Sequence, residues 1–454
     1  MSESADIPAS AMRRAILAIA LPSMLTNVAT ALFGLADMWV IGRLGQATAQ
    51  GAVEVGAKLL MTLFIVFNFL RSSTVALTAQ AAGREDEVAQ AVTLARGVAV
   101  ALAIGVLLMS AQPILVPLGL KMLGAGGPIA GLARTYVGIR YPGGVPWLLN
   151  SVLTGWLIGR RRVRAVLAVE VGSNLLHILL DVTLVLGLGL GVAGVAAATL
   201  TSETAKLLAL VAVVARESPA RRAVVLVREH ATWRLGELAA LFRLNRDLFG
   251  RTLLLMVTTV LLTRAGARQG ATILAANAIL YQMFMLSALL LDGFESAAQV
   301  LCGEALGARD RPRFDSAVRA ILAWATAFAA LITIAYGLGG ARLAAGFSTA
   351  PSVIGTTHAY VAWAVALPLL GVVSFVFDGV FIGSGWTRGM LMSMAAALAV
   401  FLIVLTIAKP LGNNGLWLAF SLFFVARAAG QAWLLPGLTR RSFAEVDGIA
   451  TLGS

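Results

Sequence analysis

Long apolar runs alternate with short, arginine-bearing connections along the whole chain. A helix needs about 20 apolar residues to cross a bilayer. Runs of that length start near Ala15, Ala57, Val92, Gly131, Val166 and Val192, and again near Leu248, Thr272, Ala317, Thr357, Gly389 and Gly415. This pattern predicts an all-α integral membrane protein with twelve transmembrane helices. The run from Ala15 is followed by no small-residue cleavage site and reads as a retained first helix. The longest polar connection, 216–247, carries seven arginines and the breaker Pro219. Apolar residues at helical spacing from Trp233 to Phe242 predict a short amphipathic helix there, on the cytoplasmic surface. The connection separates an N-terminal lobe (1–215, helices one to six) from a C-terminal lobe (248–454, helices seven to twelve).

The two halves repeat. Residues 79–86 read AQAAGRED and 303–310 read GEALGARD; residues 155–159 read GWLIG and 379–383 read GVFIG. Both matches fall at an offset of 224 residues. Odd and even helices are placed alike in each half, so the repeats are parallel, related by an axis along the membrane normal. Two pseudo-symmetric six-helix bundles about such an axis predict a central cleft, which suits a transporter better than an enzyme.

Composition sharpens this picture. Of 454 residues, 59% are hydrophobic and 13% charged, against about 45–50% and about 25% in soluble domains. A disordered chain, a coiled coil and an ordinary soluble enzyme are excluded. The net charge of +13 comes from arginines lying between apolar runs, not along one polar face. It therefore reads as topology, and no nucleic-acid partner is expected. With the N-terminus inside, twenty-one Lys and Arg fall on inside connections and seven on outside ones. That bias predicts both termini in the cytoplasm. The single cysteine, Cys302, excludes an internal disulfide or a Cys-based cluster and reads as a small buried hydrophobe. Three scattered histidines (His177, His230 and His358) argue against a His-rich metal site. No cofactor is expected.

Candidate chemistry lies in acids placed within or near the spans: Asp37, Glu170, Asp181, Glu203, Asp292, Glu295 and Asp378. A charge at the bilayer centre costs at least about 2.5–3.5 kcal/mol, so each needs pairing, hydration or a proton. Asp37 has no basic residue one turn away. It is either an interfacial acid near the outer end of the first helix or a titrating carboxyl facing a wet cavity. His177 and Asp181 are four apart and share a helix face, as a satisfied polar pair or as part of a proton site. Glu203 and Lys206, three apart, are expected to neutralise each other. Asp292, Glu295 and Asp378 sit beside glycines near helix ends, as caps, inter-helix links or a second-half polar site. Pro22 kinks the first helix, as a fixed bend or as a switch.

The sequence resembles the multidrug and toxic compound extrusion (MATE) family, in its DinF-like branch, over nearly its whole length. The resemblance is carried by PSMLTNVATALFGLADMWVIGRLG (22–45), RSSTVALTAQAAG (71–83), RYPGGVPWLLNSVLTGWLIG (140–159) and DVTLVLGLGLGVAGVAAAT (181–199) in the first half. In the second half it is carried by NRDLFGRTLLL (245–255), LLDGFESAAQVLCGEALGA (290–308), FDGVFIG (377–383) and NNGLWLAF (413–420). It implies a V-shaped, twelve-helix antiporter that exchanges organic cations or other amphipathic compounds for protons or sodium. The branch's coupling aspartates map onto Asp37 and Asp181, its neighbouring polar positions onto His177 and Thr199, and its bending proline onto Pro22.

Two positions depart from the branch. His177 stands where Asn is usual, and imidazole is a poor ligand for a hard alkali cation. Gln299 stands where the eighth helix usually has Glu, with Glu295 and Glu304 nearby. The expectation is a proton-coupled, alternating-access multidrug exporter, a monomer of a bacterial-type inner membrane. Sodium coupling through Asp37, Asp181 and Thr199 is the alternative. A lipid-linked sugar flippase is a further one, but the few basic residues within the spans build no evident cationic cleft. An intramembrane enzyme would need a nucleophile–base set, and neither GxSxG nor HExxH is present.

Overall fold

The computed structural model describes residues 9–444. The chain ends, expected in the cytoplasm, lie outside the described residues. Fifteen α-helices and no strand occur among the described residues. In order they are α1 (Ala9–Gly42), α2 (Ala47–Ile65), α3 (Phe69–Gly83), α4 (Glu87–Met122) and α5 (Gly127–Arg140). Next come α6 (Gly144–Gly159), α7 (Val163–Asp181), α8 (Gly191–Val214), α9 (Ser218–Leu226) and α10 (Leu235–Ala267). The last five are α11 (Ala271–Gly307), α12 (Arg311–Ala345), α13 (Pro351–Gly383), α14 (Thr387–Ile407) and α15 (Asn413–Ala444).

Eleven helical stretches among the described residues are long and apolar enough to span a bilayer, with α2 and α3 forming one of them. The twelfth, expected near Gly131, is split. Its parts α5 and α6 have 14 and 16 residues and meet at a 3-10 turn, Tyr141–Gly143, built on Pro142. Pro142 has no N–H to continue an α-helical ladder. Side chains such as Leu338 (83% exposed) and Trp433 (82%) are left to lipid.

The polar connection differs from expectation. Its short helix is α9, at Ser218–Leu226, and the residues from Leu235 to Phe242 open the long helix α10 instead. Pro219 lies in the first turn of α9, where its missing N–H costs nothing. It starts this helix; it does not break one. Ala220 and Ala223 are buried, and Val224 and Val225 are exposed.

The repeat seen in two short motifs extends through the whole fold. Helix starts at Ala47, Glu87, Gly127 and Val163 recur 224 residues later at Ala271, Arg311, Pro351 and Thr387. Asp86 caps α4 by accepting from the Ala89 N–H at 2.8 Å, and Asp310 caps α12 from the Arg313 N–H at 2.9 Å. Such caps satisfy amides that have no partner inside the helix. The matched glycines mark helix crossings. A Cβ on Gly155 would lie 2.6 Å from the Arg71 carbonyl oxygen, and one on Gly379 would strike the carbonyl oxygen of Glu295, the residue equivalent to Arg71.

Two compact units result. One runs from Leu25 to Leu241; the other comprises the chain from Phe242 onward together with the stretch up to Met24. The boundary in α1 falls two residues after Pro22. The second unit is centred on an aromatic cluster in which Phe284 meets Phe424 at 5.1 Å and Phe420 at 5.4 Å. In the first unit, α7 turns a buried polar stripe inward: Glu170, Ser173, Asn174, His177 and Asp181. Spacings of three and four residues put them on one helical face.

Candidate functional site: a buried Asp–His–Asp triad

The stripe on α7 meets polar positions of α1 and α8. Asp37 of α1 is 4% exposed, and His177 and Asp181 are fully buried. His177 Nε2 lies 2.7 Å from Asp37 Oδ1 and 3.1 Å from Asp181 Oδ2. Asp181 ends α7 and is followed directly by a π-helical turn, Val182–Gly187. Turns of this kind are frequent at functional sites. The Asp181 Oδ1 is buried and accepts no hydrogen bond.

The other face of the imidazole meets α8. The Ser202 Oγ lies 3.0 Å from the Thr199 carbonyl oxygen and 3.3 Å from His177 Nδ1, so its hydroxyl bridges the ring and the helix backbone. Nε2 faces two carboxylate oxygens. A bare lone pair there would be repelled, so this side of the ring needs a cation, whether a proton or a metal ion.

Of the sequence-predicted residues, Asp37, His177 and Asp181 come together. Thr199 joins them indirectly: its hydroxyl donates to the Val195 carbonyl at 3.0 Å, and its own carbonyl anchors Ser202. Ser202 went unnoticed in the sequence. Its signal is the spacing Thr199, Ser202, Lys206 on one face of α8. Arg140 and Tyr136 of α5 lie within electrostatic reach of Asp37, and the Arg140 guanidinium donates to the Tyr136 hydroxyl.

Lower on the stripe, Lys206 Nζ bonds Glu170 Oε2 at 2.7 Å, and Thr30 donates to Glu170 Oε1 at 2.9 Å. The expected Glu203–Lys206 neutralisation is therefore shared: Glu203 acts electrostatically on Lys206 while accepting from the Asn150 amide at 2.9 Å, and Glu170 on another helix makes the direct ion pair.

The second-half acids gather around arginines. Asp378, fully buried, is ion-paired to Arg251 and Arg427 and accepts from Gln431 Nε2 at 2.7 Å. Asp292 and Glu295 act electrostatically on both arginines, and Glu295 accepts from Gln299 at 2.9 Å. Glu304 takes Arg313 at 3.1 Å. The residues 224 positions after Asp37, His177 and Asp181 are Leu261, Phe401 and Leu405, which belong to or pack against the apolar core of the second unit. The triad is therefore present once in a duplicated frame.

At the C-terminal end of α6, Glu217 bonds Arg160 Nη2 and Arg162 Nε, each at 2.8 Å. Burial works against its charge, but the two guanidiniums outweigh burial and hold its carboxyl below the usual range.

Known proteins place this architecture. The MatE family pattern matches residues 22–183 and 248–408. The chain belongs to this family of membrane transporters and is not an enzyme. It is 36% identical over 419 residues to the DNA damage-inducible protein F of Escherichia coli (strain K12), covering 92% of this chain and 91% of that protein. It is 27% identical to the probable multidrug resistance protein NorM of Rhizobium meliloti (strain 1021), covering 94% of each. A crystal structure of MATE in the bent conformation superposes with a TM-score of 0.86 at 19% identity, over 95% of this chain and 97% of that one. That likeness bears on the fold.

Proposed function

We propose that the chain is a proton-coupled multidrug antiporter that exports organic cations or other amphipathic compounds by alternating access. The observation that carries this reading is the buried Asp37–His177–Asp181 triad, whose geometry calls for a cation at Nε2. Two carboxylates and one imidazole in a site of low polarity cannot all be charged and unpaired at once. A proton taken up there changes the charge of the site without covalent chemistry. If two conformations hold that proton with different affinity, its entry and release bias the equilibrium between them.

One net charge crossing about 100 mV is worth about 2.3 kcal/mol, so exchange of a proton for an uncharged amphipathic compound at about 150 mV draws roughly 3.5 kcal/mol, a concentration ratio of several hundred. One-for-one exchange with a monovalent cation moves no net charge and draws on the pH difference alone. Pro22 lies inside the continuous helix α1, two residues before the unit boundary, between the N-terminal stretch and Asp37. The proposed role is a bend that responds to the charge of the triad. The relative named a multidrug resistance protein supports the substrate class. The proposed setting is a bacterial-type inner membrane, with the chain acting as a monomer and both termini in the cytoplasm.

The test is exchange of a fluorescent organic cation in proteoliposomes, with pH and sodium gradients imposed separately. Export driven by the pH gradient alone, and lost in Asp37→Asn, is the expected result. Undiminished pH-driven exchange in that variant refutes the role of Asp37. A response to sodium alone at clamped pH moves the assignment to sodium held by Asp37 and Asp181.

A further inference from the structure

We propose that Asp37, His177 and Asp181 form a binding site for a divalent transition-metal ion of the zinc class, which competes there with protons. The three side chains offer one nitrogen and two carboxylate oxygens that lie within 4.8 Å of one another, and all three residues are buried. Zinc bonds to nitrogen and carboxylate oxygen are about 2.0–2.2 Å, which sets tetrahedral ligand atoms about 3.3–3.6 Å apart. From Nε2, the 3.1 Å contact to Asp181 would open by a few tenths of an ångström and the 2.7 Å contact to Asp37 by somewhat more than half an ångström.

Two independent observations point to a ligand. Asp181 is fully buried, yet its Oδ1 accepts no hydrogen bond. The Ser202 hydroxyl beside Nδ1 also holds the His177 ring with Nε2 turned toward both carboxylates. An outer hydrogen bond of this kind orients an imidazole toward a metal and raises its basicity.

Charge selects the class of ion. Two carboxylates and a neutral imidazole carry a charge of −2, which a divalent cation cancels in full and a monovalent one leaves half uncompensated. The imidazole favours zinc, cobalt or nickel over magnesium and calcium, which prefer oxygen alone. The nearby groups that bear on the site are Arg140 and Tyr136 of α5. The Arg140 guanidinium donates to the Tyr136 hydroxyl, and its charge offsets part of that of Asp37.

The experiment uses purified full-length protein in lipid nanodiscs. His230→Ala and His358→Ala are introduced to remove the other imidazoles. Calorimetric titration with Zn²⁺ is expected to show one ion per chain, with affinity reduced at least tenfold by His177→Asn and severalfold by Ser202→Ala. Millimolar Mg²⁺ is expected to leave it in place. Co²⁺ on the same protein is expected to give the visible bands of a four- or five-coordinate ion, bleached by Zn²⁺ and by acid. This readout needs no triad variant to fold. Equal Zn²⁺ affinity with and without His177, displacement by Mg²⁺, or a purely octahedral Co²⁺ spectrum overturns the proposal. Binding is read without transport, so its failure leaves proton coupling standing, and the failure of proton coupling leaves binding standing.

Discussion

His177 Nε2 lies 2.7 Å from Asp37 Oδ1 across 140 residues of sequence, inside a unit where both side chains are shut away from solvent. The contact joins an acid of α1 to an imidazole of α7. Asparagine at 177 would keep a polar group near Asp37 but bind no proton. His177→Asn is therefore expected to move the pH profile of organic-cation exchange by about one unit or more, each unit being about 1.4 kcal/mol of differential interaction. Initial rates in proteoliposomes across a pH series check this. An unmoved profile removes His177 from coupling.

Asp378 holds two guanidiniums in a buried setting. Replacing it with asparagine leaves Arg251 and Arg427 without their shared counter-charge. Asp378→Asn is expected to cost about 3–5 kcal/mol of stability, the usual penalty for breaking a buried pair from one side. Gln431→Leu removes one hydrogen bond and is expected to cost about 1–3 kcal/mol. Thermal unfolding in detergent ranks the two, and a reversed order contradicts the network.

Gly379 sits where α13 crosses the Glu295 carbonyl of α11. A methyl group has no room there, and a backbone atom cannot step aside as a side-chain tip can. Gly379→Ala is expected to destabilise by about 1–3 kcal/mol through overpacking, and Gly155→Ala likewise in the first half. Alanine at Gly131, which meets nothing within 4 Å, is the matched control. Equal melting temperatures for all three count against close crossing.

Glu217 ties the start of the polar connection to the end of α6. Its carboxyl is held below the ordinary range, so its contribution to stability is complete above the unfolded glutamate value and is lost as pH falls through the lowered folded one. Glu217→Gln is expected to lower the melting temperature modestly at neutral pH. At a pH acidic enough to protonate the wild-type carboxyl, the difference should vanish. A constant difference across that range shows the contact to be indifferent to charge. The effect is small because the Arg162 side chain is more than half exposed.

The fold was open to reading because apolar run length and arginine placement are local signals. His177 and Asp181 were legible for the same reason, four apart on one face. The partner of Lys206 was not. Glu203 and Glu170 are equivalent in local terms, and only the packing of α7 against α8 chooses between them. Ser202 was hidden because a serine in a membrane helix more often satisfies itself on its own backbone. Here it does so and also anchors an imidazole. Pro219 read as a breaker because the rule for proline changes sign in the first turn of a helix. The gathering of Asp378, Arg251, Arg427 and Gln431 joins helices far apart in sequence, where no periodicity reports.

Duplication usually suggests paired duties, yet Leu261, Phe401 and Leu405 leave the second copy with nothing to titrate at the matching place. The triad thus stands in one of two repeats that otherwise share their helix starts and their glycine crossings. Swapping those three residues for Asp, His and Asp would ask whether the ancestral mould tolerates a second loading point, or whether a single one is all that the oily interior of the later half permits.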